Sequence, residues 1–167
     1  MNLPPWAEVT PERRAHVERV AALLAEWAGA MRVPERERVR WLKAAYLHDA
    51  LRDAPQFANA ELGHGPAAAD RAAREGETDR GVLDAVRYHS LGYAGWDDVG
   101  QMLYLADFLE PGRPFDMADR RTLVGQVPGE RDDVLREVAR RRIAWVLRSG
   151  WPLLPETVAF WNALAAR

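Results

Sequence analysis

Apolar residues recur at three- and four-residue spacing along nearly the whole chain, and no stretch alternates apolar and polar side chains as a half-buried strand would. This pattern predicts an all-α protein. Thr10, Pro11 and Glu12 read as an N-cap, a first-turn proline and an acid matched to the helix dipole, opening a helix that runs to about Ala28 and ends at Gly29. Pro34 opens a second helix, expected to stop just before Pro55, because the residue preceding a proline is steered away from helical geometry. A loop to Gly63 follows. Pro66 begins an alanine-rich third helix closed by Gly76, and Thr78 caps a fourth that ends near His89, where Gly92 and Gly95 interrupt the pattern. Residues 97 to 110 form a fifth helix, a short segment near 116 to 125 precedes a sixth from Pro128 to Arg148, and the last follows Pro155. No repeat or linker divides the chain, so residues 1 to 167 read as a single-domain helical bundle.

The second helix is apolar almost all round, with Trp41, Leu42, Ala44, Ala45, Tyr46, Leu47, Ala50 and Leu51, which predicts a central position. Yet "KAAYLHDALRD" sets His48 and Asp49 in its middle. A carboxylate taken out of water there costs several kcal/mol at least, unless it is paired or holds a metal. "MLYLADFLE" repeats the problem with Asp107 among Leu103, Leu105, Ala106, Phe108 and Leu109. Two buried carboxylates call for a cation.

Composition narrows which cation. The chain has no cysteine, which removes disulfides, zinc-thiolate sites and thiol nucleophiles, so a metal would have to use His, Asp, Glu or water. With 48% hydrophobic and 29% charged residues it reads as globular, and a net charge of -2 gives no electrostatic footprint for a nucleic-acid polymer. No apolar run is long enough to span a bilayer, and "MNLPPWAEVTPERR" does not resemble a signal sequence; a cytoplasmic protein without membrane partners is expected. Taken singly, the features have plainer explanations. Four His among this many Asp give roughly 0.3 adjacent His-Asp pairs by chance. A buried Asp is commonly met by an arginine, His16 alone could be a hydrogen-bonded core residue, and Arg140, Arg141 and Arg142 after Glu137 read as a solvated face.

Order and spacing change that weighing. The chain reads His16, His48-Asp49, His64, His89 and Asp107, and this uses every histidine present. The constellation resembles the HD-domain phosphohydrolases, whose helical core gathers H…HD…H…H…D ligands around a two-metal centre. "GHG" at 63 to 65, "YHSLG" at 88 to 92, "YLADFLEPGR" at 104 to 113 and the closing "PETVAFWNAL" are similar to the YqeK-like branch, related to symmetrical bis(5'-nucleosyl)-tetraphosphatases, over about residues 12 to 164.

The resemblance implies an HD-type bundle in which His16, His48, Asp49 and Asp107 hold one metal, His64 and His89 hold a second, and Asp49 bridges the two. Imidazole and carboxylate ligands suit iron, manganese or cobalt; the family favours iron. Arg52, placed one helical turn after His48, either grips a substrate phosphate or pairs with Asp53 or Glu61 on the surface. Relatives often carry Lys there. Arg113 matches the arginine of the family's "EP-x-R" segment and is a second candidate phosphate clamp. Asp53 either donates a proton to the leaving phosphate or orients water, or caps a helix end. Arg121 corresponds to a later family arginine, one residue out of register. Leu154 stands where relatives often have His. Trp96, in the loop after His89, is the best-placed candidate for stacking on a nucleobase, core packing being the alternative.

These assignments imply a metal-dependent hydrolase that cleaves diadenosine tetraphosphate symmetrically to two ADP, using a hydroxide activated between two metals. The partner is a small-molecule nucleotide, and a homodimer is compatible with the sequence. The alternatives are an HD phosphohydrolase acting on a mononucleotide, a nucleoside triphosphate or an alarmone, or a non-catalytic nucleotide-binding module.

Overall fold

Thr10 opens helix α1 (Pro11–Ala30) as its pattern requires: the hydroxyl accepts from the Arg13 N–H, satisfying a donor that the first turn leaves free. The computed structural model describes residues 1–59 and 62–167. Among them α1 is followed by α2 (Glu35–His48), a 3-10 turn (Pro55–Phe57), α3 (His64–Arg74), α4 (Arg80–Tyr88), α5 (Asp98–Leu109), α6 (Met117–Arg148) and α7 (Pro155–Ala165), with no strand. The all-α class is as expected. Among the described residues, no helix is long and apolar enough to cross a membrane.

Several boundaries depart from the sequence reading. The cap of α4 is Asp79, not Thr78; its carboxylate accepts from Val82 N–H. Helix α3 begins at His64, two residues before Pro66. Helix α2 ends at His48, well before Pro55, and residues 49 to 54 continue as consecutive i to i+3 turns. The reason lies in the site. The break falls between His48 and Asp49, adjacent residues that a continuous helix would project about 100° apart and that here both face the buried centre.

Pro128 was expected to start a helix; it lies inside α6, which kinks at Glu130 (φ −129°, ψ 35°). A proline cannot donate to the carbonyl four residues back. The carbonyl in question, that of Val124, accepts instead from the Trp27 indole N–H at 3.1 Å. A donor from α1 thus fills the gap that Pro128 leaves, and ties the kink to the core.

Helix α2 packs against α1, α3, α4 and α5 through its buried C-terminal half, a central position that it shares with α5. All of α5 except Asp98 and Phe108 is buried, and it packs against α1, α2, α4 and α6, while the N-terminal half of α2 carries its charges at the surface. Trp27, Trp41, Met102, Leu105 and Leu135 belong to the shared apolar core, each worth roughly 1.5–3 kcal/mol on burial. Arg40 bolts α2 to the start of α4 and α5, reaching Asp79 at 2.7 Å, Asp97 at 2.6 Å and Glu37 at 2.7 Å.

Candidate metal centre

Four helix ends and the middle of α1 meet at one buried point. His48 closes α2, His64 opens α3, His89 follows the last residue of α4, Asp107 lies in the last turn of α5, and His16 comes from α1. All four histidines, Asp49 and Asp107 are buried. The positions of His48 and His89 have a local cause. A helix leaves its last carbonyls without partners, and each ring donates its Nδ1–H to the carbonyl three residues back, Ala45 and Val86, at 2.7 Å. That bond also fixes the tautomer, leaving the Nε2 lone pair to face the centre.

Gly65 explains how α3 comes close enough. A Cβ there would lie 2.9 Å from the Val86 carbonyl oxygen and 3.2 Å from the His89 ring. Without it, His64 Nε2 sits 3.1 Å from His89 Nε2 and 3.1 Å from Asp49 Oδ1, and the His89 Nε2 to Asp49 Oδ1 distance is 3.4 Å. Two donors at right angles around a metal at about 2.1 Å stand about 3.0 Å apart, close to these three edges.

The other oxygen of Asp49 looks the opposite way. Oδ2 is 3.7 Å from both His16 Nε2 and His48 Nε2 and accepts from Arg13 Nη1 at 2.8 Å. His16–His48–Asp49 and Asp49–His64–His89 are thus two groups able to hold a metal ion, with Asp49 common to both. Two observations test the fit: the Nε2 atoms of His16 and His48 are buried without a hydrogen-bond partner, and the donor set of imidazole and carboxylate suits a first-row divalent cation.

Asp107 Oδ1 lies 3.1 Å from His16 Nε2, without hydrogen-bond alignment, and 3.9 Å from His48 Nε2. Its carboxylate also accepts from Arg113 at 2.8 Å and Arg142 at 3.2 Å. Burial would push the pKa of each carboxylate up. For Asp49 the neighbouring His48, His64 and His89 hold it well below the usual range, and for Asp107 the guanidinium of Arg113, with His16 and Arg142, does the same. Burial lowers His48 to about 4, so that ring is neutral at pH 7. Burial pulls His16 down as well, but Asp107 and Glu110 outweigh it and raise that ring to about 9, so metal uptake there must displace a proton.

The remaining candidates divide. Arg52 is in the turns after Asp49, not one helical turn beyond His48, and makes no ion pair among the described residues; burial lowers the pKa of His64, and the Arg52 charge adds to that shift. The alternative partner Glu61 lies outside the described residues. Asp53 accepts from the backbone N–H and hydroxyl of Thr10 at 2.8 and 3.0 Å, so it holds the start of α1. Arg113 is engaged with Asp107 and remains partly exposed. Arg121 points to solvent from α6, while the preceding Arg120 turns inward, against the rings of Phe115 and Phe108. Trp96 is 7% exposed, packs against Tyr104 and Phe160 and donates to the Asp84 carbonyl, leaving no free face for a base. Leu154 is the residue preceding α7 and makes no side-chain cap.

Arginines that the sequence reading passed over stand at the centre. Arg13 pairs with Asp49. Arg142, read as part of a solvated run, stacks on Tyr104 at 4.3 Å and reaches Asp107, whereas Arg140 and Arg141 pair with Glu137. A helical repeat of 3.6 separates Arg142 from its neighbours by about 100°, a clue that the run need not share one face. A groove of about 680 Å³ between Pro4–Trp6, Lys43 and the end of α3 shares none of its lining with the histidine cluster.

The fold and this cluster define a helical protein with a buried His/Asp centre built to take divalent metal. A family model described as "HD domain" matches residues 13–124, and the chain belongs to that family. Among curated proteins it is 29% identical over 109 residues to a Bacillus subtilis (strain 168) protein named symmetrical bis(5'-nucleosyl)-tetraphosphatase, and 30% identical over 110 residues to one of the same name from Halalkalibacterium halodurans. Each match takes in 65% of this chain, and 58% and 57% of the respective relative, so the chain spans little more than half of their length. A solved structure described as a predicted HD superfamily hydrolase involved in NAD metabolism, from Clostridium acetobutylicum, superposes with a TM-score of 0.80 over 95% of this chain and 92% of that one at 23% identity. At that identity the likeness concerns the fold.

Proposed function

We propose that the chain is a metal-dependent phosphohydrolase that cleaves diadenosine tetraphosphate symmetrically to two ADP. The observation that carries this reading is the sharing of Asp49 between two three-residue groups of buried donors, supported by the names of the curated relatives. In this reading His16, His48, Asp49 and Asp107 hold one divalent metal and His64, His89 and Asp49 a second, with iron the favoured ion and manganese or cobalt compatible. When bound, such a pair supplies an acidified water for in-line attack and neutralises the charge that gathers on phosphorus.

The chain's own residues do the rest. Water adds to the second phosphorus and the bond from that phosphorus to the oxygen it shares with the third breaks; the oxygen leaves with the third phosphorus and takes up a proton from the water, so that each half leaves as ADP. Arg113, beside Asp107, and Arg52, after Asp49, contact the phosphate chain, and Arg13 completes the positive rim. Asp53, held by Thr10, positions α1 and is not assigned a proton transfer, and neither Arg121, exposed on α6, nor Trp96, packed in the core, is assigned a contact with substrate.

The test is product analysis by anion-exchange chromatography after the anaerobically purified protein, supplied with ferrous or manganous ion, is incubated with diadenosine tetraphosphate. Two ADP per substrate is the expected result. ATP plus AMP would overturn the symmetric cut. An intact dinucleotide alongside rapid cleavage of a mononucleotide would move the activity to another nucleotide.

A further inference from the structure

Glu110 is the residue after α5 and is 1% exposed, yet neither group of metal-holding donors includes it. Its carboxylate is fully engaged all the same. Oε1 accepts from His16 Nδ1 at 3.0 Å, and Oε2 accepts from Arg19 Nε and from the Gly112 N–H, both at 2.6 Å. With a carboxylate opposite, Nδ1 must be the donor, which turns Nε2 of His16 toward Asp49 and Asp107. Gly112 is part of the same arrangement. A side-chain carbon at that position would collide with the Arg19 guanidinium, so its absence lets Arg19 lie across the backbone to reach Glu110.

His48 and His89 rest on main-chain carbonyls, whereas His16 alone rests on a charged group. An anionic partner makes the opposite ring nitrogen a stronger ligand than a carbonyl does. We propose that Glu110, braced by Arg19 across Gly112, is the positioning residue for His16 and sets the metal affinity of the His16–His48–Asp49 half of the centre. The proposal rests on the two-metal reading given above.

The experiment is a calorimetric titration of the metal-free protein with manganous ion, comparing wild type with Glu110→Gln, Glu110→Ala, Gly112→Ala and His16→Ala, each confirmed as folded by circular dichroism. Wild type should show two binding events. Glu110→Ala should weaken one of them by about 10- to 100-fold and leave the other unchanged, and His16→Ala should remove that same event. Glu110→Gln, which can still accept from Nδ1 but without charge, should weaken it less, and Gly112→Ala, which displaces Arg19 alone, should fall between wild type and Glu110→Ala. If Glu110→Ala fails to fold, the Gln and Gly112 variants carry the comparison. Wild-type affinities at both events in folded Glu110→Gln and Gly112→Ala would overturn the proposal. Absence of manganese uptake by wild type would overturn the two-metal reading itself.

Discussion

Replacing Asp49 by Asn should abolish metal binding at both halves of the centre, where losing a histidine costs one. Asp49 is the single residue common to the two donor groups; without it the first proposed site falls from four residues to three and the second from three to two. The amide keeps the size of the side chain but cannot share a negative charge between two cations. Even an outer partner of a ligand is worth about 10- to 100-fold in affinity, so a shared anionic ligand should be worth at least about 100-fold per site, or about 2.7 kcal/mol. The fold itself should survive. In metal-free protein the loss falls on Arg13, which donates to Asp49 at 2.8 Å but keeps a partly exposed side chain 3.6 Å from Asp53. Breaking that one charge-assisted bond costs about 1.5–3 kcal/mol, and Arg13 can turn to Asp53 or solvent to recover part of it. The assay is a thermal melt in chelator to establish folding, followed by elemental analysis after reloading with manganese and desalting. Asp49→Asn should retain no stoichiometric metal, and His64→Ala should retain one equivalent. Two equivalents in folded Asp49→Asn would refute the bridging assignment, as would loss of both metals from His64→Ala.

The indole that fills the gap at Pro128 should show up in a double-mutant cycle: Trp27→Phe leaves the Val124 carbonyl unpaired and should cost about 1–3 kcal/mol in urea unfolding, whereas in a Pro128→Ala background, where residue 128 regains an N–H, the cost should be smaller by about 1 kcal/mol. Equal costs in both backgrounds would refute the account of the kink. The Arg40 cluster predicts a pH dependence. The Arg40 guanidinium holds the Asp79 carboxyl below its ordinary value of 3.8, so the stabilisation is present above about pH 4 and is lost as pH falls through the lower native value. Arg40→Met should therefore destabilise by about 1 kcal/mol at pH 6 and by less at pH 3, measured by urea unfolding; both groups are partly exposed, which keeps the figure small.

What the sequence determined by itself is what local chemistry determines. The cap at Thr10, the first-turn proline Pro155, the stop near Gly76 and the apolar spacing specified the helices, because each depends on residues within a turn or two of one another. His48, Asp49 and Asp107 were legible as polar residues in apolar runs, whereas His16, His64 and His89 joined them through the order of the histidines and the resemblance to the HD-domain pattern. Which partner each finds was not legible. Glu110 stands 94 residues from His16, Arg19 stands 91 from Glu110, and Arg142 stands 35 from Asp107. The end of α2 at His48 was decided in the same way. Intrinsic preference would carry that helix on to Pro55, but it ends where Asp49 turns to meet His64 and His89. On sequence alone Trp96 was open to base stacking or core packing, and Tyr104 from α5 and Phe160 from α7 cover it. Contacts between residues distant along the chain depend on how helices cross, and crossing follows from the whole set of packed faces, a property that no single stretch of sequence carries.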